Sequence, residues 1–303
     1  MIYKTPIMSI ICFGDDDVNT RLKGILFLIL SAFFFAAMNM FVKLSGDLPT
    51  FQKVFFRNAF AAVIALIILI KNKAPFRPKS KKTLPFLILR TVCGLLGVIC
   101  NYYALDRLVL SDASILNKMS PFFAIIFSFF VMKERPKLYQ WLTVTGAFFG
   151  ALFVIKPSFS NSAFIPSVIG FLGGMFAGAA YAFVRKLGTM GENNAFIVFF
   201  FSACSTLAVT PVMIIGYALM TWLQLVYLLS AGLSAALAQF AVTAAYTCAP
   251  AKEISVYDFS QILFAAAFGF FVFAQLPDVY SLIGYVIIIS MAVLNYMFSR
   301  RTV

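Results

Sequence analysis

Residues 129–139 read FFVMKERPKLY and residues 270–280 read FFVFAQLPDVY, so one pattern recurs at an offset of 141 residues. Extended backwards without gaps, the offset pairs polar residues with polar residues: Ser114 with Ser255, Asn117 with Asp258 and Ser120 with Gln261. The chain therefore contains an internal repeat, and polar side chains interrupt an apolar run in both copies.

The composition indicates a membrane protein. Of the 303 residues, 62% are hydrophobic and 12% are charged, and the mean hydropathy is +0.95. Soluble domains are about half apolar, so repeated membrane spans are the ready explanation. The net charge of +13 fits basic cytoplasmic loops better than a nucleic-acid surface, because no basic soluble domain is visible. We predict a lipid bilayer as partner and no nucleic acid.

The residue types argue against an enzyme. Histidine is absent, and the five cysteines are scattered without a CxxC pair. A histidine base, a metal site and a bound cofactor are therefore not expected. No phosphate loop of the Walker type occurs either, which argues against a nucleotide-driven pump.

Ten runs are long and apolar enough to span a membrane, for which about 20 residues suffice. They are 23–45, 51–71, 84–104, 112–133, 138–156, 166–187, 194–217, 222–247, 253–275 and 279–299. Their length and the absence of period-two alternation indicate helices rather than a barrel. The predicted fold is an all-α integral membrane protein with ten transmembrane helices.

Each half has an odd number of spans, so the second half is predicted to run inverted relative to the first. Inverted five-helix repeats around a central cavity are typical of alternating-access carriers, whose substrate site lies between the halves. The predicted divisions are an extension over 1–22, repeat 1 over 23–156, a linker over 157–165, repeat 2 over 166–299 and a tail over 300–303.

Basic residues predict the orientation. With the N-terminus inside, the inner connections hold most of the basic residues, including the run from Lys71 to Lys82, whereas the outer segments hold only Lys43, Lys53, Arg107 and Lys156. The first 20 residues make a poor signal peptide, since an acidic run follows a short apolar stretch. We predict a multi-pass protein of the cytoplasmic membrane with both termini inside.

The stretch YYALDRLVLSDASILNKMSPFFAIIFSFFVMKERPKLYQWLTVTGAFFGALFVIKP (102–157), together with FFRNAF (55–60), resembles the drug/metabolite transporter superfamily and its EamA-type ten-helix permeases. The resemblance implies transport of a small metabolite; members are associated with amino acids, S-adenosylmethionine and nucleotide sugars. It does not name the substrate. Gln275 stands where the first half has Glu134, so no functional role is carried over to Gln275.

The fourth span carries Ser114, Asn117, Lys118 and Pro121 on one face of a helix. Pro121 removes a backbone hydrogen bond and is expected to bend the helix. Lys118 is either a counter-ion for a carboxylate or phosphate of the substrate, or a side chain that snorkels to water or pairs with a fixed acid.

Asp258 is the one carboxylate that the predicted spans place well inside the membrane. Three roles stay open for it: a coupling site for a proton or cation, a partner for a cationic substrate group, and a structural partner for Lys118. Further candidates for substrate binding are Asn39, Tyr181, Gln239, Tyr257 and Gln261. Arg57 and Arg90 lie within snorkelling reach of an interface, which favours a structural role for both.

The predicted function is secondary transport of a small polar metabolite. Internal bases outnumber internal acids, which favours a carboxylate or phosphate on the substrate, and Asp258 favours an ammonium, so an amino acid or amino-acid-like compound fits both. Uptake and export stay open, and a homodimer is compatible with the sequence. The alternatives are a translocase for lipid or polyprenyl carriers, and a channel or receptor that does not transport.

Overall fold

The computed structural model describes residues 17–132, 137–155, 163–248 and 255–301, and within these ranges the regular structure is helical throughout. The helices are α1 Asp17–Leu44, α2 Thr50–Lys71, α3 Leu84–Arg107, α4 Leu110–Asn117, α5 Ser120–Met132, α6 Leu138–Ile155, α7 Phe164–Thr189, α8 Asn194–Ile215, α9 Trp222–Cys248, α10 Ser260–Phe273 and α11 Val279–Arg301. A 3₁₀ turn over Ser255–Phe259 precedes α10. Helix α1 thus begins inside the predicted extension, whose first 16 residues lie outside the described ranges.

The predicted all-α membrane architecture is confirmed. Nine helical stretches of the described chain are long and apolar enough to cross a membrane, counting Leu110–Met132 as one, and a tenth, Tyr257–Phe273, is shorter. Large apolar side chains such as Ile67, Phe130 and Phe271 are exposed on the surface, where a bilayer would solvate them.

The fourth predicted span is broken rather than bent. Helix α4 ends at Asn117, α5 begins at Ser120, and Lys118 and Met119 join them. Pro121 is the second residue of α5, where its missing N–H leaves no helical bond unmade. The prediction of one continuous helical face from Ser114 to Pro121 is therefore wrong, because the helix stops inside it.

The ninth span is interrupted at a corresponding place. Its 3₁₀ turn ends at Phe259 and α10 starts at Ser260, within a residue or two of the positions that the 141-residue offset assigns to the first break. A 3₁₀ turn leaves the backbone less regularly bonded than an α-helix does. Irregular backbone within a membrane span is tolerated when protein or water covers it, and Lys118 and Met119 at the first interruption are both buried.

Helices from the two halves pack in matching pairs. Helix α1 packs along α9 and α3 packs along α7, while α2 contacts α8 and α6 contacts α11. The segments that follow the breaks behave alike, since α5 lies on α7 and α10 lies on α1. Exchanging the first five spans with the last five maps these six pairings onto one another.

Glycines of α7 let the first break sit close to that helix. A Cβ placed at Gly178 would lie 2.6 Å from the carbonyl oxygen of Ser120 and 2.9 Å from the amide nitrogen of Ala124. A Cβ at Gly174 would lie 2.5 Å from the carbonyl oxygen of Leu116. These side-chain-free positions let the backbone of the break rest directly on α7, as small-xxx-small motifs do in membrane proteins.

Candidate functional site

Lys118 and Asp258 form an ion pair where the two broken spans meet. The Lys118 Nζ donates to Asp258 Oδ2 at 2.6 Å. Lys118 is only 7% exposed, and Asp258 is half-buried in the 3₁₀ turn. This is the contact that the structural-partner alternative describes. The ion pair brings together one charge from each half of the chain. Because the surroundings are poorly hydrated, each ion is stabilised by the other.

Two further candidates extend the site towards α1. The Asn39 Nδ2 donates to the Ser114 Oγ at 3.5 Å, and that hydroxyl donates to the Leu110 carbonyl at 2.8 Å. Both residues are buried, and the Asn39 Oδ1 has no acceptor bond within the described part of the chain. Asn39 therefore links α1 to the helix that ends at the break and keeps one acceptor available.

The remaining candidates divide by exposure. Tyr181 on α7 is 53% exposed, although it lies within electrostatic range of Asp258, Arg57 and Arg90. Tyr257 is also exposed, next to Asp258, whereas Gln239 on α9 is half-buried. A tyrosine that faces both open space and these charges is suited to line a ligand pocket.

Asn117 and Gln261 stand apart from the ion pair. Asn117 is half-buried at the end of α4, and Gln261 is buried in the first turn of α10. In the ranges that the structure describes, no hydrogen bond joins either amide to Lys118 or Asp258. The side chain of Ser255 lies outside what the structure describes, so its predicted partnership with Ser114 stays a prediction.

Arg57 and Arg90 contact the same aromatic ring. The Arg90 Cζ lies 3.7 Å from the centre of the Phe201 ring and the Arg57 Cζ lies 5.8 Å from it. Each guanidinium thus turns towards α8, a contact that fits the structural role the sequence favours for both. Such a cation–π contact is worth about 0.5–2 kcal/mol. Position within a span did not reveal this, because two long side chains from different depths reach the same ring.

Gly94 makes room for the arginine on its own helix. A Cβ at this position would overlap the Arg90 Nη1 and lie 2.8 Å from the Phe201 Cε2. Gly94 follows Arg90 by one helical turn, so the guanidinium lies over the glycine as it reaches the ring. This local signal, an arginine four residues before a glycine, was present in the sequence.

Two acidic residues were missed as internal groups. Tyr285 Oη on α11 donates to the Asp112 Oδ1 at 2.6 Å, and Asp112 is buried. Lys53 Nζ pairs with the Asp106 Oδ1 at 2.6 Å, with the lysine fully buried. Both carboxylates lie within three residues of a helix end, so the expectation that Asp258 is the one carboxylate well inside a span stays a prediction. The sequence did not indicate their partners, because Lys53 and Tyr285 lie on other helices.

These features define a class: a multi-pass helical membrane protein with two discontinuous helices that meet at a buried ion pair. The chain belongs to the EamA-like transporter family, whose model matches residues 22–156. The family and the relatives below are transporters rather than enzymes, as the sequence predicted.

The chain is 34% identical over 273 residues to the pseudopaline exporter CntI of Pseudomonas aeruginosa, covering 88% of this chain and 93% of the exporter. It is 24% identical over 289 residues to an S-adenosylmethionine uptake transporter of Rickettsia felis, covering 95% of this chain and 96% of that protein. A solved crystal structure shares the fold at a TM-score of 0.64 and 11% identity, over 92% of this chain and 98% of the other.

Proposed function

We propose that the protein is a secondary transporter that moves an amino acid or amino-acid-like metabolite across the cytoplasmic membrane by alternating access. The observation that carries the proposal is the Lys118–Asp258 ion pair. Each half of the chain contributes one of its two charges, and each charge lies where a span is interrupted. Binding sites made of discontinuous helices at the interface of two repeats are typical of such carriers.

The packing supports two inverted repeats over 23–156 and 166–299. The contacts of α1 with α9 and of α3 with α7 exchange when the halves are exchanged, and so do those of α5 with α7 and of α10 with α1. Because each repeat has five spans, a chain with this symmetry runs inverted in its second half. Rocking of one half against the other would then expose the ion pair to either side in turn.

Asp258 has a defined role in this proposal. Its carboxylate is held by Lys118 when no substrate is bound, and a substrate ammonium or a coupling proton or cation competes with the lysine for it. Ser114, one helical turn before Lys118, its partner Asn39 and the exposed Tyr181, which lies within electrostatic range of Asp258, complete the proposed site. Asn117, Gln239, Tyr257 and Gln261 remain candidate lining residues.

The names of the relatives bear on direction. One relative is named an exporter and another an uptake transporter, and the exporter has the higher identity. This difference supports export.

We further propose that both termini face the cytoplasm. A cysteine replacing Lys73 should then resist impermeant thiol reagents in intact cells and react only after permeabilisation. Labelling in intact cells would contradict this orientation.

Purified protein in liposomes tests the proposal. Vesicles loaded with unlabelled S-adenosylmethionine, L-histidine or L-glutamate should accumulate the matching labelled compound by saturable counterflow for at least one of the three. The Asp258→Asn variant then separates the roles: loss of gradient-driven transport with counterflow retained indicates coupling, and loss of both indicates substrate binding. Conductance without saturation in the unchanged protein would contradict a carrier.

A further inference from the structure

The arginines on Phe201 have no acidic partner. In the described ranges, Arg57 donates from Nη1 to the Asn58 Oδ1 at 2.6 Å, and neither Arg57 nor Arg90 makes an ion pair. Lys53 and Lys118 differ in this respect, since Lys53 pairs with Asp106 and Lys118 pairs with Asp258. Lys43 has no ion-pair partner in that part of the chain either, and its ammonium donates to the Leu108 carbonyl oxygen. The two guanidiniums therefore carry positive charge that no ion pair of the described chain compensates.

Hydrogen-bond donors are in surplus at the same place. The Nε atoms of Arg57 and Arg90 and the Nδ2 of Asn58 are buried and donate to nothing in the part of the chain that the structure describes. Buried donors without acceptors are costly, and buried guanidiniums more so. The Tyr102 hydroxyl beside Arg57 is also unsatisfied and could accept one hydrogen bond, which leaves donors in excess. Two of these donors belong to cations, so an anion is the acceptor that suits them best.

The guanidiniums are held over a ring, and of their donors the described contacts use only the Arg57 Nη1. Both lie over the ring of Phe201, and Arg90 does so at 3.7 Å from the ring centre, where Gly94 leaves space for it. Each arginine is half-buried, so part of its surface remains accessible. A planar guanidinium fixed on a ring and open at its edge is suited to bind a carboxylate through two parallel hydrogen bonds.

Tyr181 relates this place to the ion pair. It lies within electrostatic range of both arginines and of Asp258, and its ring is half-exposed. A metabolite bound beside Tyr181 would therefore be exposed to the charges of both the guanidiniums and the Asp258 carboxylate.

We propose that Arg57 and Arg90 form the subsite for a carboxylate of the transported metabolite, and that Lys118 is not its counter-ion. Lys118 is already neutralised by Asp258 and Lys43 donates to the Leu108 carbonyl oxygen, whereas both arginines keep a buried donor without an acceptor in the described chain. The substrate class is then an amino-carboxylate whose acidic group lies on the arginine side. This inference rests on the proposed transport function and adds the chemistry of its ligand.

Thermal stability of the purified protein in detergent gives a direct test. The probes are sodium citrate and L-glutamate as carboxylates, sodium phosphate as another anion and putrescine as a cation, each compared with sodium chloride at matched ionic strength. The carboxylates should raise the Tm of the unchanged protein, and putrescine should not. Absence of a carboxylate shift, or a shift with phosphate alone, would overturn the proposal.

Substitutions assign the effect to the two arginines. Arg57→Gln and Arg90→Gln should weaken the apparent carboxylate affinity by about tenfold or more, the loss that follows from removing a charged hydrogen bond. Arg107→Gln is the matched control, because Arg107 stacks on Tyr103 at 3.8 Å but is exposed and remote from Phe201. Equal affinity in Arg90→Gln and the unchanged protein would overturn the assignment.

Two further measurements cover poor folding and separate this inference from the transport function. Arg90→Lys keeps the charge but not the two-pronged geometry, so it should fold and still lose carboxylate affinity. If the unchanged protein shows counterflow and the arginine variants transport with the same half-saturation, the subsite is wrong and the transport function stands. If carboxylates bind through the arginines but nothing is transported, the transport function is wrong and the carboxylate subsite stands.

Discussion

The two broken spans have similar backbones and different chemistry. The first breaks after the short helix Leu110–Asn117 and carries a base, whereas the second opens in the 3₁₀ turn Ser255–Phe259 and carries an acid. The first break rests on glycines of α7. The second is followed by α10, whose Phe264 and Phe268 rings make edge-to-face contacts with Phe33, with ring centres 5.4 and 5.7 Å apart.

The difference shows what each break is for. If the interruptions served only to bend helices, opposite charges at one shared position would be unnecessary and costly. One base and one acid across the interface make each half incomplete without the other. The tight, glycine-lined packing of the first break and the aromatic packing of the second indicate that the first is the more rigidly positioned of the two.

The largest expected effect comes from removing one charge of the pair. Lys118→Met or Asp258→Asn alone leaves a poorly hydrated, unpaired ion, so each should lower the free energy of unfolding by about 3–5 kcal/mol. The double variant should lose less than the sum, since no unpaired ion remains. Thermal unfolding of the four proteins in one detergent measures this coupling, and additive losses would show that the two breaks are independent.

Rigidity of the first break can be tested on one helix. Gly178→Ala inserts a methyl group against the Ser120 carbonyl and the Ala124 amide, and such overpacking costs about 1–3 kcal/mol. Gly188→Ala is the control, because nothing lies within 4 Å of a Cβ at that position of α7. It should stabilise the helix by about 0.5–1 kcal/mol. Equal Tm values for the two variants would mean that the break does not depend on close contact with α7.

The start of the first broken span, at the beginning of α4, is hydrogen-bonded to α11. Tyr285→Phe removes the hydroxyl that donates to Asp112 at 2.6 Å and should cost about 1–2 kcal/mol. Tyr280→Phe, on the same helix but exposed, should leave the Tm unchanged. A loss for Tyr285→Phe as small as that of the control would indicate that α4 is held by apolar packing alone.

The sequence predicted the spans and the Lys118–Asp258 contact as one of three roles, because hydropathy and the repeat offset determine which residues share a depth. It predicted a bend at Pro121, whereas the helix stops earlier, at Asn117. It did not predict that Arg57 and Arg90 meet one ring, because only the tertiary packing of α8 brings Phe201 to both of them. Asp112 was missed through an error of two residues in a helix start, which is the usual uncertainty of a boundary.

The smallest expected effect concerns the end of the second broken span. Helix α10 ends at Phe273, and the next residue, Ala274, is in the left-handed region with φ +51°, where a Cβ costs about 1–2 kcal/mol that glycine does not incur. Glycine also makes the unfolded chain more flexible, so Ala274→Gly should raise the free energy of unfolding by less than about 1 kcal/mol. The next residue, Gln275, accepts a hydrogen bond from the Leu110 amide at 3.4 Å, so this turn also connects the second broken span to the start of the first. If the variant is stabilised and its counterflow slows, the turn must change conformation during transport; if it is stabilised with counterflow unchanged, the left-handed alanine is only a local strain at the helix end.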